Sequence, residues 1–263
     1  MQKNILVTGS TDGIGLETAR MLVSQGHNVL LHGRNPKKLE DVEKTLSAIP
    51  DGGGVESYVA DLSNMADVEF LAKTVAAKHT ELDVLINNAG IFMTPNSITQ
   101  DGLDVRFAVN SIAPYLLTQR LLPLLGTSAR VINLSSAAQS PVDPEALIGQ
   151  VRLSDDFTAY AQSKLAITMW SRFMALSMKD DGPVIIAVNP GFNMAGKDIN
   201  IGAKILTRLA LADEFAAASG QYFDNDSDQF SPPHLDALNP QKCEEIVRAI
   251  ETVIAEITQR RKK

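Results

Sequence analysis

Two hydrophobic patterns alternate along the chain. Short, largely apolar runs, typical of strands buried on both faces, occur at 5–7, 28–32, 55–60, 83–86, 129–134 and 184–188. Apolar residues that recur every three or four positions predict helices at 16–25, 36–48, 65–79, 102–125, 157–178 and 240–257. A helical, amphipathic stretch at 197–218 could form part of a lid, and residues 221–223 predict a short closing strand.

Strands that alternate with helices predict an α/β protein with a Rossmann-type, doubly wound parallel sheet and helices on both faces. The length of 263 residues permits one such domain or two small ones. No repeat or linker interrupts the pattern, so we predict a single domain over 1–263. Within it, the cofactor part would cover about 1–135 and the catalytic and substrate part about 136–263.

A glycine-rich turn joins the first predicted strand to the first predicted helix. Its glycines, Gly9, Gly13 and Gly15, have the spacing G-x-x-x-G-x-G and not the G-x-G-x-x-G of the standard dinucleotide fingerprint. The first glycine permits a tight turn, the second lets backbone approach a pyrophosphate, and the third lets the helix pack closely on the strand. The amino end of the helix attracts the anion. The alternative is a turn that only caps the helix.

Arg34 follows the second predicted strand, directly after Gly33. Dinucleotide folds that prefer NAD place an acid near this position, whereas a basic residue can accommodate the 2′-phosphate of NADP. The planar guanidinium of Arg34 suits a phosphate, and Lys37 and Lys38 add positive potential nearby. We therefore expect NADP(H) to be favoured over NAD(H). The alternative is a solvated basic turn at the start of the next helix.

Tyr160 and Lys164 lie four residues apart in a predicted helix and therefore share one face. A free tyrosine has a pKa of about 10, too high for useful proton exchange at neutral pH. An ammonium about 5 Å away, at an effective dielectric of ~20, should favour the phenolate by roughly 3 kcal/mol. We therefore expect Lys164 to lower the pKa of Tyr160, which would act as a general acid or base. The alternative is an ordinary helix pair with the lysine in solvent.

Further polar residues follow the predicted strands. Asp61 comes after the third strand, residues 87–90 after the fourth, and Ser135 and Ser136 after the fifth. Ligands of parallel sheets bind beyond the carboxyl ends of the strands, so we expect these residues to converge with Tyr160.

Asn110 lies inside the predicted helix 102–125, four residues before Pro114. A proline inside a helix frees backbone groups and kinks the helix. From these residues alone, Asn110 could belong to the site or could satisfy a local carbonyl.

The chain resembles the short-chain dehydrogenase/reductase family over its whole length. The motifs occur in family order: Thr8-Gly9-x-x-x-Gly13-Ile14-Gly15, Asn87-Asn88-Ala89-Gly90, Asn110, Ser136, Tyr160-x-x-Ser163-Lys164 and Pro190-Gly191. The long interval from Ser136 to Tyr160 is similar to that of the retinol dehydrogenase and WW-domain oxidoreductase branch.

This resemblance implies a role for each of four residues. Ser136 would polarise the substrate oxygen, and Tyr160 would exchange a proton with it. Lys164 would lower the pKa of the tyrosine and hold the nicotinamide ribose, while Asn110 would support a water-linked proton relay. Hydride would move between nicotinamide C4 and the carbonyl or carbinol carbon.

The same resemblance implies the cofactor contacts. Asp61 and Leu62 would contact the adenine. The remaining cofactor-binding residues would be Gly9, Ser10, Thr11, Asp12, Gly13, Ile14, Gly15, Arg34, Asn87, Ala89, Gly90, Tyr160, Lys164, Pro190, Gly191 and Asn193. The chain departs from the family pattern after Pro190-Gly191, because Asn193 and Met194 stand where the family usually has a threonine near the carboxamide.

Composition and charge limit the other function classes. A net charge of −7 and a pI of about 5.1 argue against a surface that binds nucleic acid. Cys243 is the only cysteine, which excludes an intrachain disulfide and fits a reducing compartment. Too few apolar residues precede Gly9 for a signal peptide, and no stretch approaches the ~18 uninterrupted apolar residues of a membrane span. We therefore expect a cytoplasmic protein without a membrane span.

No metal site is predicted. Asp224-x-Asp226-x-Asp228 begins like a calcium loop, but Gln229 replaces the glycine and Leu235 replaces the bidentate glutamate. The four histidines have no metal-ligand spacing.

Our first hypothesis is an NADP(H)-dependent oxidoreductase of a small, apolar carbonyl or alcohol. The apolar residues expected around the site are Phe92, Met93, Val142, Phe157, Phe192, Met194 and Tyr222. A second hypothesis is a non-catalytic NADP(H) sensor or scaffold of the same fold, and an acyl hydrolase is disfavoured because the G-x-S-x-G elbow is missing. The helices at 102–125 and 157–178 could pair across a two-fold axis or remain covered, so the chain is expected to be a monomer or a homodimer.

Overall fold

The computed structural model describes residues 1–191 and 198–261. In these residues, one sheet contains β1 Asn4–Val7, β2 Asn28–Gly33, β3 Val55–Val59, β4 Val84–Asn87, β5 Arg130–Leu134, β6 Val184–Asn189, β7 Tyr222–Asp224 and β8 Gln229–Phe230. The strand order is β3-β2-β1-β4-β5-β6-β7-β8, and only β8 is antiparallel to its neighbour. The order reverses between β1 and β4, which creates a crevice at their carboxyl ends.

Helices connect the strands. They are α1 Gly13–Ser24, α2 Pro36–Ser47, α3 Met65–Lys78, α4 Val105–Phe107, α5 Ala113–Leu121, α6 Pro144–Leu147, α7 Asp156–Met178, α8 Ile199–Leu211 and α9 Pro240–Arg260. A π-helical turn, Ala108–Ile112, joins α4 to α5. In the described part of the chain, no helix is both long and apolar enough to cross a bilayer.

Side-chain caps fix where the helices begin. Asn35 accepts a 3.0 Å hydrogen bond from the Lys38 N–H, and Pro36 occupies the first turn of α2, where its missing N–H is tolerated. Asp155 accepts a 2.7 Å hydrogen bond from the Thr158 N–H. This cap determines the register of α7 and therefore which of its residues face the sheet.

Apolar side chains cover both faces of the sheet. Leu6 and Leu85 face the layer that includes α3, α5, α7 and α9, while Ile5 and Ile86 face α1, α2 and α8. Burying each such side chain contributes about 1.5–3 kcal/mol. Burial on both faces explains the continuous apolar runs. The predicted α/β fold with helices on both faces is confirmed.

The predicted helix at 102–125 is interrupted. Asp104 caps α4 and forms an isolated bridge with Ile98, so the residues before it form a turn. The π-helical turn then precedes α5, and Pro114 falls in the first turn of α5. The Ala113 N–H, just before the proline, donates to the Ala108 carbonyl five residues back, so the π-helical turn accommodates a proline that has no N–H to donate.

The carboxyl-terminal third contains one strand more than predicted. The predicted closing strand is β7, but β8 follows it and forms a hairpin. Of the predicted helix at 197–218, the described residues form α8 and a short 3-10 turn, Asp213–Phe215. Residues 192–197, which include Asn193, lie outside the described residues, so the lid to which 197–218 was expected to contribute stays a prediction.

The long helix α7 is covered by the chain itself. Helix α9 packs against α7, and Glu251 on α9 accepts a 2.7 Å hydrogen bond from the Tyr115 hydroxyl on α5. The Tyr115 ring meets Trp170 of α7 edge-on, with 5.5 Å between the centroids. Helix α9 therefore covers part of α7 within the chain, and the choice between monomer and homodimer stays a prediction.

Candidate active site

The glycine-rich turn after β1 needs its glycines. Gly9 and Gly13 have φ values of +64° and +53°, which lie in the left-handed region. A Cβ on Gly15 would lie 2.3 Å from Asn88 Nδ2, whereas a Cβ on Gly13 would meet nothing within 4 Å. The backbone at Gly13 is therefore open to a ligand. Gly9 thus fits the expected tight turn, Gly13 the expected open approach to a ligand, and Gly15 the expected close packing.

A cavity of about 580 Å³ opens beside this turn. Most of the predicted cofactor residues line it: Gly9, Thr11, Asp12, Gly13, Ile14, Gly15, Arg34, Asp61, Leu62, Ala89 and Gly90. The rest of the lining was not among the predicted cofactor contacts: His32, Gly33, Asn35, Lys38, Ala60, Asn88, Ile91 and Val109. Most of these residues adjoin a predicted one at a strand end, which is the signal that could have identified them.

Two side chains predicted to bind the cofactor lie behind this cavity. The Ser10 hydroxyl is fully buried, accepts a 2.9 Å hydrogen bond from the His32 N–H and donates to the His32 carbonyl. Asn87 is buried, and its Nδ2 donates to Asn133 Oδ1 at 2.7 Å and to Thr118 Oγ1 at 3.2 Å. Both side chains join elements of the fold and do not line the cavity, because their positions at the strand ends turn them into the protein.

The exit of β6 contributes two further predicted residues. Gly191 has a φ of +102°, and its N–H donates to Asn189 Oδ1 at 3.2 Å. The Pro190 carbonyl accepts a 2.9 Å hydrogen bond from Asn225 Nδ2. These residues lie at the carboxyl edge of the sheet but do not line the cavity.

Arg34 is exposed at the rim of the cavity and forms no ion pair with any residue of 1–191 or 198–261. The neighbouring cation, Lys38, instead pairs with Asp12 across 2.6 Å. Both the Lys38 hydrogen bond and the Gly13 N–H lower the pKa of the Asp12 carboxyl. Arg34 is thus the cation on this rim that is available to an anionic group.

Asn110 connects three parts of the site. Its Oδ1 accepts from the Ile91 N–H at 2.8 Å, and its Nδ2 donates to the Ile91 carbonyl and to Ser163 Oγ, both at 2.9 Å. A Cβ built on Gly90 would lie 3.5 Å from both Asn110 Oδ1 and Lys164 Nζ. Asn110 therefore does not satisfy a local helix carbonyl, because the π-helical turn directs it towards the loop after β4 and towards α7.

Ser136 and Tyr160 meet at the carboxyl edge of the sheet. Burial raises the pKa of the Tyr160 phenol, and the neighbouring Ser136 hydroxyl lowers it by a smaller amount. The Ser136 carbonyl accepts from the Tyr222 hydroxyl at 3.1 Å and from Gln139 Nε2 at 2.9 Å. These bonds hold the backbone that carries the serine. Tyr222 was expected in an apolar pocket, and its hydroxyl instead supports Ser136.

The pKa of Tyr160 beside Lys164 is shifted in the direction opposite to the expected one. Burial raises the pKa of Tyr160, and burial lowers the pKa of Lys164 to about 8. Lys164 Nζ lies 5.6 Å from the centroid of the Tyr160 ring and donates to the Leu134 carbonyl at 2.7 Å. The expected lowering of the tyrosine pKa is therefore wrong for this structure, because loss of hydration at a buried site outweighs the attraction between the ions.

We expect the burial of Lys164 to make stability depend on pH. Between its folded pKa of about 8 and its ordinary value of 10.5, the unfolded chain binds more protons, so stability rises with pH. Relative to the Lys164→Met variant, the wild type should gain about 2 kcal/mol of unfolding free energy between about pH 7 and about pH 9.5. Urea unfolding followed by Trp170 fluorescence measures this difference. Parallel pH profiles for the two proteins would contradict the buried cation.

A pair of aromatic side chains begins beside the phenol. The Phe92 ring lies 5.0 Å from the Tyr160 ring and 6.4 Å from the Phe157 ring, centroid to centroid. Phe92 is 40% exposed, Phe157 56% and Met93 73%. Large apolar groups at this degree of exposure form a surface suited to an apolar ligand. Val142 packs against the core, and Phe192 and Met194 lie outside the described residues.

A glycine-rich turn at the sheet crevice and a serine, tyrosine and lysine at its edge define the arrangement of a nicotinamide-dependent oxidoreductase. The family model described as short chain dehydrogenase matches residues 3–203. The chain therefore belongs to the short-chain dehydrogenase/reductase family.

Individual relatives agree with this assignment. Human retinol dehydrogenase 13 is 32% identical over 251 residues, which cover 84% of this chain and 76% of that protein. A crystal structure of an uncharacterized protein from Mycobacterium Paratuberculosis superposes with a TM-score of 0.83 at 26% identity, over 97% of this chain and 94% of that one. A metagenomic short-chain oxidoreductase in complex with NADP superposes with a TM-score of 0.62 at 32% identity, over 79% of this chain and 90% of that one. The expected resemblance to the retinol dehydrogenase branch is confirmed.

Proposed function

We propose that this chain transfers hydride between NADP(H) and an apolar carbonyl or alcohol, with Tyr160 as the general acid or base. The observation that supports it best is that Ser136 lies close enough to Tyr160 to affect its pKa, with the buried Lys164 on the same helix 5.6 Å from the Tyr160 ring. This arrangement stands at the carboxyl edge of the sheet, where α/β folds bind ligands.

The cavity fits a dinucleotide. Gly13 lines it with open backbone, and there the start of α1 offers N–H groups and a partial positive charge to a pyrophosphate. Its volume of about 580 Å³ lies in the ordinary range of cofactor sites. Asp61 and Leu62 would flank the adenine, and Lys164 would hold the nicotinamide ribose. Bound NADP(H) would supply the hydride.

Ser136 and Tyr160 would bind the substrate oxygen and exchange its proton. The Ser136 hydroxyl would donate a hydrogen bond to the carbonyl oxygen, and Tyr160 would give that oxygen its proton during reduction. Burial keeps the phenol protonated at neutral pH, and the proposal requires the negative charge that develops on the substrate oxygen to draw this proton from Tyr160. Asn110 holds Ile91 and Ser163 and thereby fixes the loop after β4 against α7.

The surroundings of Tyr160 support an apolar substrate. Phe92 packs beside the Tyr160 ring, Phe157 packs edge-on against Phe92, and Met93 is more exposed than either. Burying such side chains against a ligand contributes about 25 cal/mol per Å² of apolar area. Retinol dehydrogenase 13, one of the relatives, is named for an apolar alcohol of this kind.

We expect Arg34 to set the preference for NADP(H). In the Arg34→Ala variant, the affinity for NADPH should fall about 10- to 100-fold while the affinity for NADH changes little, because one charge-assisted contact with the 2′-phosphate is lost. Isothermal titration with both nucleotides measures the ratio. Lys37→Ala is the matched control, since Lys37 is also exposed in this turn but does not line the cavity. If the wild type binds NADH as tightly as NADPH, the assignment of Arg34 fails.

A substrate screen tests the activity itself. A panel of aldehydes, ketones and alcohols that range from polar to apolar is assayed by nicotinamide absorbance with NADPH or NADP. The proposal expects turnover that increases with the apolar area next to the reacting carbon. Tight NADPH binding with no turnover of any compound in the panel would instead favour a sensor or scaffold of the same fold.

A further inference from the structure

His32 is a buried titratable residue that the proposed proton transfer does not use. It lies at the end of β2, is 3% exposed, and contributes to the lining of the nucleotide cavity. Its Nδ1 accepts a 3.1 Å hydrogen bond from the Gly9 N–H, and its Nε2 lies 3.1 Å from the Ala60 carbonyl oxygen.

These two bonds fix the chemical state of the imidazole. A backbone N–H can only donate, so Nδ1 carries no proton. A carbonyl oxygen can only accept, so Nε2 carries the proton and donates it to Ala60. Burial lowers the pKa of His32 to about 4, against the opposing charge of Asp61, which is consistent with a neutral ring.

The two partners follow the strands that flank β2 on either side, Gly9 after β1 and Ala60 after β3. Gly9 opens the glycine-rich turn, whose left-handed backbone approaches Ala89. Ala60 directly precedes Asp61 and Leu62, which line the cavity at the exit of β3. A single side chain therefore sets the distance between the expected pyrophosphate and adenine contacts.

The Ser10 side chain reinforces this link. Its hydroxyl accepts from the His32 N–H at 2.9 Å and donates to the His32 carbonyl at 3.3 Å. The backbone N–H of Ser10 also donates to that carbonyl, at 3.0 Å. The end of β2 is thus tied to the glycine-rich turn through both its backbone and its imidazole, which leaves the ring little freedom to move.

We propose that His32, as the Nε2-protonated neutral imidazole, is a positioning residue that holds the glycine-rich turn and the exit of β3 at the separation required by the adenosine half of the cofactor. This inference rests on the proposed binding of NADP(H). It concerns affinity for the nucleotide and not the chemistry at Tyr160.

Three substitutions separate the two bonds. His32→Phe retains a planar ring and removes both bonds. His32→Asn retains an acceptor near the position of Nδ1, and His32→Gln retains a donor near the position of Nε2. Calorimetric titration with 2′,5′-ADP and with NADPH measures affinity well below the unfolding temperature of each variant.

For His32→Phe we expect the affinity for both nucleotides to fall by the same factor, about tenfold, because two buried hydrogen bonds are lost. The asparagine and glutamine variants should each recover part of that loss. The KM for the carbonyl substrate and kcat at saturating NADPH should stay at wild-type values. If His32 had a purely structural role, His32→Phe would lower the unfolding temperature. It would not lower nucleotide affinity while leaving turnover unchanged.

His27→Phe provides the matched control. His27 Nδ1 also accepts a backbone hydrogen bond, from the Lys3 N–H at 3.2 Å, but at the amino ends of β1 and β2. Its replacement should leave the affinity for 2′,5′-ADP unchanged.

Nitrogen-15 NMR of the wild type, free and with 2′,5′-ADP, tests the tautomer even where a variant does not fold. A proton on Nε2 alone is expected in both samples at neutral pH. A proton on Nδ1, or an unchanged affinity for 2′,5′-ADP in folded His32→Phe, would overturn the role of His32. Failure of the wild type to bind either nucleotide would instead overturn the proposed function.

Discussion

Replacing Tyr160 with phenylalanine is expected to lower kcat/KM for a carbonyl substrate about 10³-fold, the middle of the range for a lost general acid. The substitution removes only the hydroxyl that interacts with Ser136, and it retains the ring that packs 5.0 Å from Phe92. The affinity for NADPH should fall by no more than about tenfold, which is the effect of one lost hydrogen bond. The loss should therefore appear mainly in kcat.

Steady-state rates under NADPH saturation, together with nucleotide titration, measure the two effects separately. Tyr115→Phe is the control, because Tyr115 is another buried tyrosine whose hydroxyl is hydrogen-bonded, to Glu251 of α9, away from the site. Its turnover should stay within about twofold of the wild type, since hydrogen bonds remote from the reacting groups affect stability and not the barrier. Near-normal turnover by Tyr160→Phe would exclude the phenol as the proton donor.

The part of the site that the sequence could predict depends on local geometry. The glycine-rich turn follows from spacing within a few residues, because positive φ values and close approach require glycine at Gly9, Gly13 and Gly15. The same holds for residues at strand ends, such as Asp61, which the parallel order of the sheet brings to one edge. The doubly wound fold followed from apolar runs for the same local reason.

The direction of the Tyr160 pKa could not be predicted from spacing. The distance from Lys164 Nζ to the ring, 5.6 Å, is close to that expected for residues one helical turn apart. The missing quantity was burial, which depends on elements distant in sequence, including the loop that carries Phe92. Desolvation opposes charge on both groups and therefore reverses the sign expected from Coulomb attraction alone.

The directions of the Ser10, Asn87 and Asn110 side chains also could not be predicted from the sequence. Their positions in motifs were informative, but the direction of each side chain depends on partners such as His32 and Asn133, which come from other strands. Asn110 in addition depends on a π-helical turn that no local spacing predicts.

The anchor of the catalytic helix was also not visible in the sequence. Arg106, 1% exposed, forms a bidentate pair with Asp104, with Nε–Oδ1 and Nη2–Oδ2 distances of 2.9 and 2.7 Å, and a further ion pair with Asp156. Asp156 lies in the first turn of α7, one turn before Tyr160. The arginine thus fastens the start of α7 to α4, across 50 residues of sequence.

Replacing Arg106 with methionine is expected to lower the free energy of unfolding by about 3–5 kcal/mol, because Asp104 stays buried without its counter-charge. Asp156 is half-exposed and regains water, so most of the loss should come from Asp104. Urea unfolding measures the loss. The additional substitution Asp104→Asn should recover part of it, since an amide costs less to bury than an unpaired carboxylate.

Arg120→Met provides the matched comparison. Arg120 forms the same bidentate pair with Glu69, at 2.8 and 2.7 Å, but on the surface, where a pair contributes less than about 1 kcal/mol. Equal losses for the two arginines would mean that burial does not determine the strength of the Arg106 pair. A small loss for Arg106→Met, with turnover unchanged, would mean that the Asp155 cap and the packing of α7 position Tyr160 without this anchor.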